Sequence, residues 1–432
     1  MSSIVPQEPI TNHSECTGAS LVDGQLRYFK AVNRWMTAFF IRNNPNSITI
    51  NSSTMRKIYD YIVNREVALI TQNNRDQSFC SKKFSEASYP VMTAFVVMIL
   101  ALIASQLSFG QPLFQQDFSS STVVGDYDDS APTNGQFNSI GTSGAGTILS
   151  INSGGSNNKL RYARTANAGS YSRTTDFSPT PTSMIYRFDL TVSGNSSSQT
   201  TAAVWQVGDG FGTANAAELN ADVHSRIGLN WTATAGQFSI RNIEASTNSS
   251  NFTGTQTITW VINNSGASIN YRGPDGSNEP VANDAADLWI GTSKQLNDIA
   301  AVGGGNTLTD LKFAFTAGTG TVDIDNILID PIPSIPTSNI ATVTGSTTFA
   351  ANWTTVTGVT GYRLDVAIDA NFTTFVSGYN NLYVPGQATS SQAVTGLSAN
   401  TNYWYRVRGA SQYTVGEFAS GNSGSQSLTT IS

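Results

Sequence analysis

An acidic stretch of the chain places several carboxylates at the close spacing that a cation site uses. In 125–130 the sequence reads GDYDDS, so Asp126, Asp128 and Asp129 fall within four residues. Calcium is held by about 6–8 oxygens, which carboxylates and backbone carbonyls supply. The same composition is also typical of a solvated acidic turn. The stretch therefore predicts either a turn in solvent or a calcium site.

Residues for acid–base or nucleophilic catalysis are sparse. His224 is the one histidine after residue 110, so a Ser-His-Asp site in that region has to use it. Its polar neighbours favour a surface or hydrogen-bonded histidine. Glycoside hydrolysis commonly needs two carboxylates about 5–10 Å apart, and the glutamates between residues 111 and 331 are scattered: Glu218, Glu244 and Glu279. We therefore expect no catalytic site, although the more numerous aspartates leave an unfamiliar hydrolase or lyase open.

Charge is distributed unevenly along the chain. Residues 1–110 hold 10 Lys+Arg and 7 Asp+Glu, a net of +3, and residues 111–432 hold the remaining 13 and 22, a net of −9. Charged residues make up 12% of the whole chain, against about 25% in a typical protein. A negative region that is poor in lysine repels phosphate backbones, which argues against nucleic acid as a partner.

The most apolar run of the chain, 91–111, reads VMTAFVVMILALIASQLSFGQ and follows the basic pair at 82–83. A basic start, an apolar core of about 7–15 residues and small residues before the cut are features of a secretory signal peptide. Residues 82–110 match these features, with a cut before Gln111. A membrane-spanning helix needs about 20 apolar residues, and polar residues interrupt the run after Ala104. An uncleaved signal anchor and a buried core helix are the alternatives.

Residues 1–81 precede this run, although signal peptides normally begin a chain. They are either a cytoplasmic N-terminal extension or the result of a mis-called start near Lys82. Both cysteines, Cys16 and Cys80, lie in this segment, so residues 111–432 have no disulfide and no cysteine-based metal site. The domains after the run must therefore be stable through core burial and backbone hydrogen bonds.

The region 111–331 carries repeated period-two patterns. In 184–192 (MIYRFDLTV) alternate residues are apolar, and the same alternation recurs at 258–262 and 311–315. Alternation of this kind predicts half-buried antiparallel strands. Because no helical pattern lies between them, we predict a two-sheet sandwich or jelly roll.

Two local features of the last strands lead to more specific predictions. The strand at 311–315 is followed by a turn at 317–320 and another strand, which predicts a hairpin. Within 320–329 the apolar alternation slips by one residue near Asp325 and Asn326. Such a slip predicts a β-bulge.

The ends of this region carry a family resemblance. A first strand at 113–120 (LFQQDFSS) and a last strand at 320–329 (GTVDIDNILI) resemble the paired end strands of secreted β-jelly-roll modules in bacterial surface proteins, of the concanavalin-A-like and carbohydrate-binding kinds. The resemblance implies a glycan-binding domain with a structural calcium near these strands. Asp117 with Asp323 or Asp325 would then supply the calcium ligands.

Glycan binding usually depends on an aromatic ring that stacks on the sugar. Trp205, next to a Gly-rich segment, is the ring that we expect to be exposed, and Trp231 is a second candidate. Core packing is the alternative for both. Tyr271, Arg272 and Asp275 lie in a predicted turn (NYRGPDG) that could line the site.

A proline-containing linker, 332–336, separates this domain from a second one at 337–430. The segment 397–407 (LSANTNYWYRV) resembles the fibronectin type III signature, with Ala399 in place of the usual proline. The resemblance implies a tyrosine corner, in which a tyrosine at the start of the strand bonds to backbone a few residues upstream. We also expect Trp353 to pack in the core of this domain.

Together these patterns predict an all-β protein: an antiparallel jelly-roll sandwich, then an immunoglobulin-like fibronectin type III sandwich, preceded by an apolar signal helix. We expect a protein of the bacterial cell surface or of the medium that binds a glycan or a surface polymer without catalysis, and that meets the membrane only through the signal segment. A structural spacer from a longer protein and a glycan-active enzyme are the alternatives. Apart from calcium, no cofactor is expected.

Overall fold

The computed structural model describes residues 111–153 and 157–432. The segment 1–81 and the predicted signal peptide at 82–110 lie outside these residues. Apart from a 3-10 turn at Val124–Asp126, the described residues form strands, turns and loops. No helix in this part of the chain is long and apolar enough to cross a membrane. The prediction of an all-β fold is confirmed.

The first domain is built from short strands connected by turns and loops. In the described residues as far as Asp330 the strands are β1 Phe114–Gln116, β2 Ser139–Thr142, β3 Thr147–Asn152, β4 Lys159–Arg164, β5 Gly169–Arg173, β6 Ser183–Ser193, β7 Gln199–Gly208, β8 Val223–Trp231, β9 Phe238–Asn242, β10 Thr247–Asn248, β11 Gln256–Asn263, β12 Ile269–Arg272, β13 Asn278–Val281, β14 Ala285–Ile290, β15 Ser293–Ala300, β16 Asp310–Phe315 and β17 Gly320–Asp330.

Two antiparallel sheets form the sandwich of this domain. The eight-stranded sheet has the order β15-β14-β11-β6-β17-β4-β3, with β1 also paired to β17, and the seven-stranded sheet has the order β10-β9-β8-β7-β16-β5-β2. β12 and β13 form a separate two-stranded hairpin. Alternate residues of β6, such as Tyr186 and Phe188, are buried between the sheets. The mixed strand order and the single shared core are those of a jelly-roll sandwich.

The end strands pair as the jelly-roll resemblance implied. β1 runs antiparallel to β17, with Phe114 opposite Ile329. The register of β17 against β6 shifts between Asp325 and Leu328, and Asn326 has a φ of 49°. The predicted β-bulge is therefore confirmed.

The predicted hairpin of β16 and β17 is wrong. β16 pairs with β5 and β7 in one sheet, whereas β17 pairs with β4 and β6 in the other. The turn between them crosses the sandwich, so that both strands direct apolar residues into the same core. Alternation in the sequence predicts a strand and its buried face, but it does not determine which neighbour the strand pairs with.

The second domain contains two smaller sheets. Its strands are β18 Ser338–Val343, β19 Phe349–Trp353, β20 Gly361–Ala367, β21 Leu382–Pro385, β22 Ser391–Val394, β23 Asn402–Tyr413, β24 Gly416–Ala419 and β25 Gln426–Thr429. One sheet has the order β18-β19-β22, and the other has β21-β20-β23-β24 with β25 paired to β23. This arrangement is a fibronectin type III-like sandwich.

The tyrosine corner and the tryptophan core of this domain are confirmed. The backbone N–H of Ser398 donates to the hydroxyl of Tyr403 over 2.9 Å, at the start of β23. Trp353 is 1% exposed, and its Nε1 donates to the carbonyl of Thr389. Both contacts satisfy polar groups that burial removes from water, which is what lets these rings fill the core.

The described residues all belong to one compact unit of the chain, and the two sandwiches share an apolar interface within it. This interface cluster lies on the outer face of the eight-stranded sheet, opposite the sandwich core. Gly421 N–H donates to the carbonyl of Asn270 over 3.0 Å, so backbone bonding joins the domains as well. The buried members of the interface cluster are Ile185, Val261, Tyr271, Val281, Trp289, Leu328, Ile332 and Phe418.

Candidate functional site

The tryptophans expected to stack on a sugar are buried in the sandwich core. Trp205 is 0% exposed, its ring lies 4.8 Å from that of Phe313, and its Nε1 donates to the hydroxyl of Tyr171 over 3.1 Å. Trp231 is 2% exposed and meets the ring of Phe315 edge-on at 5.4 Å. The expectation that Trp205 is exposed is wrong, and the core-packing alternative holds for both tryptophans, because the strand register turns them toward the opposite sheet.

Tyr271 lies in the interface cluster instead of at the surface. Its hydroxyl donates to Asp287 and accepts from Nε1 of Trp289, each over 2.7 Å. Lys294 reaches the same carboxylate at 2.6 Å. Burial and the adjacent negative charge of Asp287 raise the pKa of Tyr271. Tyr271 is therefore an anchor of the β12–β13 hairpin and is not available to a ligand.

Arg272, the last residue of β12, and Asp275, in the turn that joins β12 to β13, remain accessible. Asp275 accepts from the backbone N–H of Ser277 over 2.8 Å and from its hydroxyl over 2.6 Å, which shapes the turn. Arg272 is half-buried. Burial, together with the positive charge of Arg408, lowers its pKa.

This turn forms one wall of an interdomain groove of about 280 Å³, and the second domain forms the other wall. The floor comes from β6 and β11, where Arg187 and Thr259 are opposite each other in the register. In this groove the structure brings Arg272, a ligand-binding candidate from the sequence, together with other polar side chains. The groove is lined by Arg187, Thr257, Thr259, Arg272, Gly273, Pro274, Gly291, Glu417, Phe418 and Ala419.

Arg187 is held at the floor of the groove by the second domain. Its Nη2 donates to the carbonyl of Val415 over 2.6 Å, and its guanidinium lies 5.0 Å from the ring centre of Phe418. Burial lowers the pKa of Arg187. Gly416 makes this contact possible, since a Cβ there would overlap the Arg187 guanidinium.

Glu417, the one carboxylate among the described residues that line the groove, is neutralised. Arg363 makes hydrogen bonds to both of its oxygens, including one from Nε to Oε1 at 3.0 Å. Arg363 also stacks over the ring of Tyr383. A carboxylate fixed in this way is poorly suited to proton transfer, and the same lining offers no second one to pair with it.

The aspartates predicted to bind calcium near the end strands accept hydrogen bonds from other groups of the chain. Asp323 is held by Arg161 in a bidentate pair at 2.6 and 2.7 Å, which corrects its assignment as a metal ligand. Among the described residues no group of three or more His, Cys, Asp or Glu is arranged to hold a metal ion. Asp325 accepts from Asn157 and from the N–H of Asn326. Asp117 accepts from the N–H and hydroxyl of Ser119.

The acidic stretch forms a local network of turns. Asp126 accepts from Ser121, and Asp129 accepts from the N–H of Ala131 over 2.9 Å. Asp128 accepts from the N–H of Ile140. Three carboxylates that each bind a different part of the chain favour the acidic-turn alternative, and calcium stays a prediction.

A buried charged cluster on the outer face of the seven-stranded sheet was not predicted from the sequence. Lys312, 0% exposed, forms an ion pair with Glu218, and its Nζ also donates to the carbonyl of Gly212 over 2.9 Å. Burial raises the pKa of Asp310, at the start of the same strand, to about 6. The segment 209–222 covers this face. The only signal in the sequence is the polar position of Lys312 between apolar neighbours.

His224 is fully buried and hydrogen-bonded. Its Nδ1 lies 2.9 Å from the hydroxyl of Ser225, and its Nε2 lies 3.9 Å from Asp284 without a hydrogen bond. Burial lowers the pKa of His224, and the charge of Asp284 opposes that effect. Within the described part of the chain no nucleophile is hydrogen-bonded to Nε2, as a Ser-His-Asp site would require.

Comparison with known proteins gives no family for the chain. No family model matches it, and no curated protein matches it either. Solved structures similar to parts of it include fibronectin type III domains and carbohydrate-recognition and galectin-like folds.

Three of these structures show the extent of the likeness. The sixth fibronectin type III domain of human fibronectin type III domain containing protein 3 is 23% identical, over 23% of this chain and 86% of that one, with a TM-score of 0.17. The carbohydrate recognition domain of Emp46p, in its metal-free form, is 9% identical over 44% and 87%, with a TM-score of 0.28. A β-1,2-glucanase from Parabacteroides distasonis is 14% identical over 75% and 38%, with a TM-score of 0.19. Structures this weakly similar carry no argument about function, so the function is inferred from the geometry of the site.

Proposed function

We propose that this chain is a non-catalytic glycan-binding protein of the cell surface, and that the interdomain groove is its binding site. The supporting observation is the groove itself, which combines arginine and threonine side chains at a junction of two domains. Small-ligand sites occur preferentially at such junctions. The ion pair of Glu417 with Arg363 supports binding rather than hydrolysis.

The experiment is a glycan array probed with the purified chain. We expect binding to a defined subset of plant, algal or host glycans, weakened by Thr259→Val on the groove floor and unaffected by Thr347→Val on the second domain. Silence across all glycans would contradict the proposal and favour a structural spacer. Release of reducing ends from a bound glycan would instead show an enzyme.

We also propose that the protein is secreted through the segment 82–110. N-terminal sequencing of the secreted product should then find Gln111 as its first residue. Recovery of peptides from 1–81 in cells would exclude a mis-called start, and retention of 82–110 in the mature protein would indicate a signal anchor.

Calcium near the end strands is a further proposal. Its support is the pairing of β1 with β17: the last pair, Gln116 with Ile327, precedes Asp117 in one strand and lies within the bulge after Asp325 in the other. EDTA should then lower the melting temperature of the purified chain, and added calcium should restore it. An unchanged melting temperature would count against this site and against the acidic stretch.

A further inference from the structure

Arg272 differs in its contacts from the other arginines around the interdomain groove. Within the described ranges, its guanidinium makes no hydrogen bond and no ion pair, although it has five N–H donors. By contrast, Arg187 donates to a backbone carbonyl and Arg363 binds Glu417. The half-buried guanidinium of Arg272 therefore has donors available for an acceptor from outside the protein.

The carboxylates near Arg272 are occupied by other groups. Asp275, in the turn that follows Arg272, accepts two hydrogen bonds from Ser277. Asp365 accepts hydrogen bonds from both Arg406 and Arg408. The positive charge of Arg272 is therefore not cancelled by a direct contact with a described carboxylate, and it lines the groove.

We infer that the interdomain groove binds an acidic saccharide, with Arg272 holding a carboxylate or sulfate group of the sugar. The inference rests on the proposed glycan-binding function and specifies its ligand class. The planar fork of a guanidinium fits two oxygens of such a group at once.

The remaining groove residues suit the neutral part of a sugar. Thr257 donates its hydroxyl proton to Asp189, which leaves its oxygen free to accept from a sugar hydroxyl. Thr259 makes no side-chain hydrogen bond within the described part of the chain, so it can donate or accept. At about 280 Å³ the groove is slightly smaller than a typical small-molecule pocket of about 300–1,000 Å³. This size fits a single sugar unit, with the rest of a longer chain in solvent.

The test is a titration of the purified chain with three oligosaccharides of matched length, followed by calorimetry. The probes are an oligogalacturonate, a sulfated galactan fragment and a neutral galactan fragment. Binding of the first or second identifies the acidic group as carboxylate or sulfate, and its affinity should fall as salt is raised.

Two variants connect the result to the residue. Arg272→Gln should weaken binding of the acidic probe about 10-fold to 100-fold, as expected for loss of a charge-assisted pair. It should not lower the melting temperature, because the Arg272 guanidinium has no hydrogen-bond partner among the described residues to lose. Arg241→Gln is the matched control, since Arg241 is a half-buried arginine on the seven-stranded sheet.

The outcomes separate this inference from the proposed function. Equal binding of acidic and neutral probes, or acidic binding that Arg272→Gln does not weaken, would overturn the inference alone. Binding to neutral glycans only would also overturn the inference and leave the proposed function standing. Failure to bind any glycan on the array would overturn the proposed function as well.

Discussion

The hydroxyl groups of buried tyrosines bond to the backbone of neighbouring loops in this protein, and Tyr403 is the clearest case. The bond from Ser398 N–H to its hydroxyl fixes the loop that precedes β23. Trp205 shows a related principle, because its Nε1 is paired with Tyr171 in the buried core. At this scale, burial determines whether an aromatic residue supports the fold or contacts a ligand.

We expect Tyr403→Phe to reduce the free energy of unfolding by about 0.5–1.5 kcal/mol, because it removes the partly buried hydrogen bond from the Ser398 N–H. Chemical denaturation of the purified chain measures the loss. Tyr379→Phe is the matched control, since its hydroxyl accepts the N–H of Thr395 over 2.9 Å in an exposed place. Equal losses in the two variants would contradict a special role for the corner.

Asp330 makes stability depend on pH. Burial raises its pKa from 3.8 to about 7, although the hydrogen bond from Tyr413 opposes the shift. Between about pH 4 and 7 the folded state retains a proton that the unfolded state has released, so stability falls as the pH rises through this window. Above about pH 7 both states are ionised and the loss is complete.

We therefore expect a lower melting temperature at pH 8 than at pH 5, and a smaller difference in Asp330→Asn. Asp310 and Asp325, each with a pKa raised to about 6 by burial, contribute with the same sign. Asp310→Asn should reduce only that part of the melting-temperature change that occurs below about pH 6. Melting profiles of Asp330→Asn that superimpose on those of the unmodified chain would exclude this explanation.

At the scale of elements, the turns and the bulge determine which sheet a strand joins and where the groove lies. The turn from β16 to β17 crosses between sheets, and the bulge in β17 reorients its last residues so that Leu328 reaches the interface cluster. The turn between β23 and β24 places Val415 and Gly416 against Arg187. Turns of this kind position the groove.

We expect Gly416→Ala to destabilise the chain by about 1–3 kcal/mol, as overpacking does. The new Cβ would overlap the Arg187 guanidinium, and the φ of 145° favours glycine. Thermal unfolding measures the change. Gly424→Ala is the control, because a Cβ there meets nothing within 4 Å. If the two variants were equally stable, Arg187 would have room to move.

At the scale of the whole molecule, the two sandwiches are joined by the interface cluster as well as by the chain. The linker contributes Ile332, which is 8% exposed, so it packs against the domains. An interface with an apolar centre and backbone hydrogen bonds favours coupled unfolding of the domains. The groove depends on this coupling, since each domain supplies one of its walls.

We expect the unmodified chain to unfold in one calorimetric transition and Phe418→Ala to unfold in two. Truncation of a buried phenylalanine costs about 3–5 kcal/mol, and Phe418 is 5% exposed in the interface cluster. Phe372→Ala, at the periphery of the second domain, should keep a single transition. Two transitions in the unmodified chain would mean that the domains fold independently.

The amino-acid sequence by itself determined the features that depend on near neighbours. Alternation predicted the strands, the slip at Asp325 predicted the bulge, and 397–407 predicted the tyrosine corner, because each is a property of a few consecutive residues. Only the tertiary structure decided that β16 and β17 lie in different sheets and that the ring of Trp205 is buried. It also placed Arg272, Arg187 and Glu417 around one groove. The physical reason is that these features involve residues far apart in the chain and depend on which strands share a sheet.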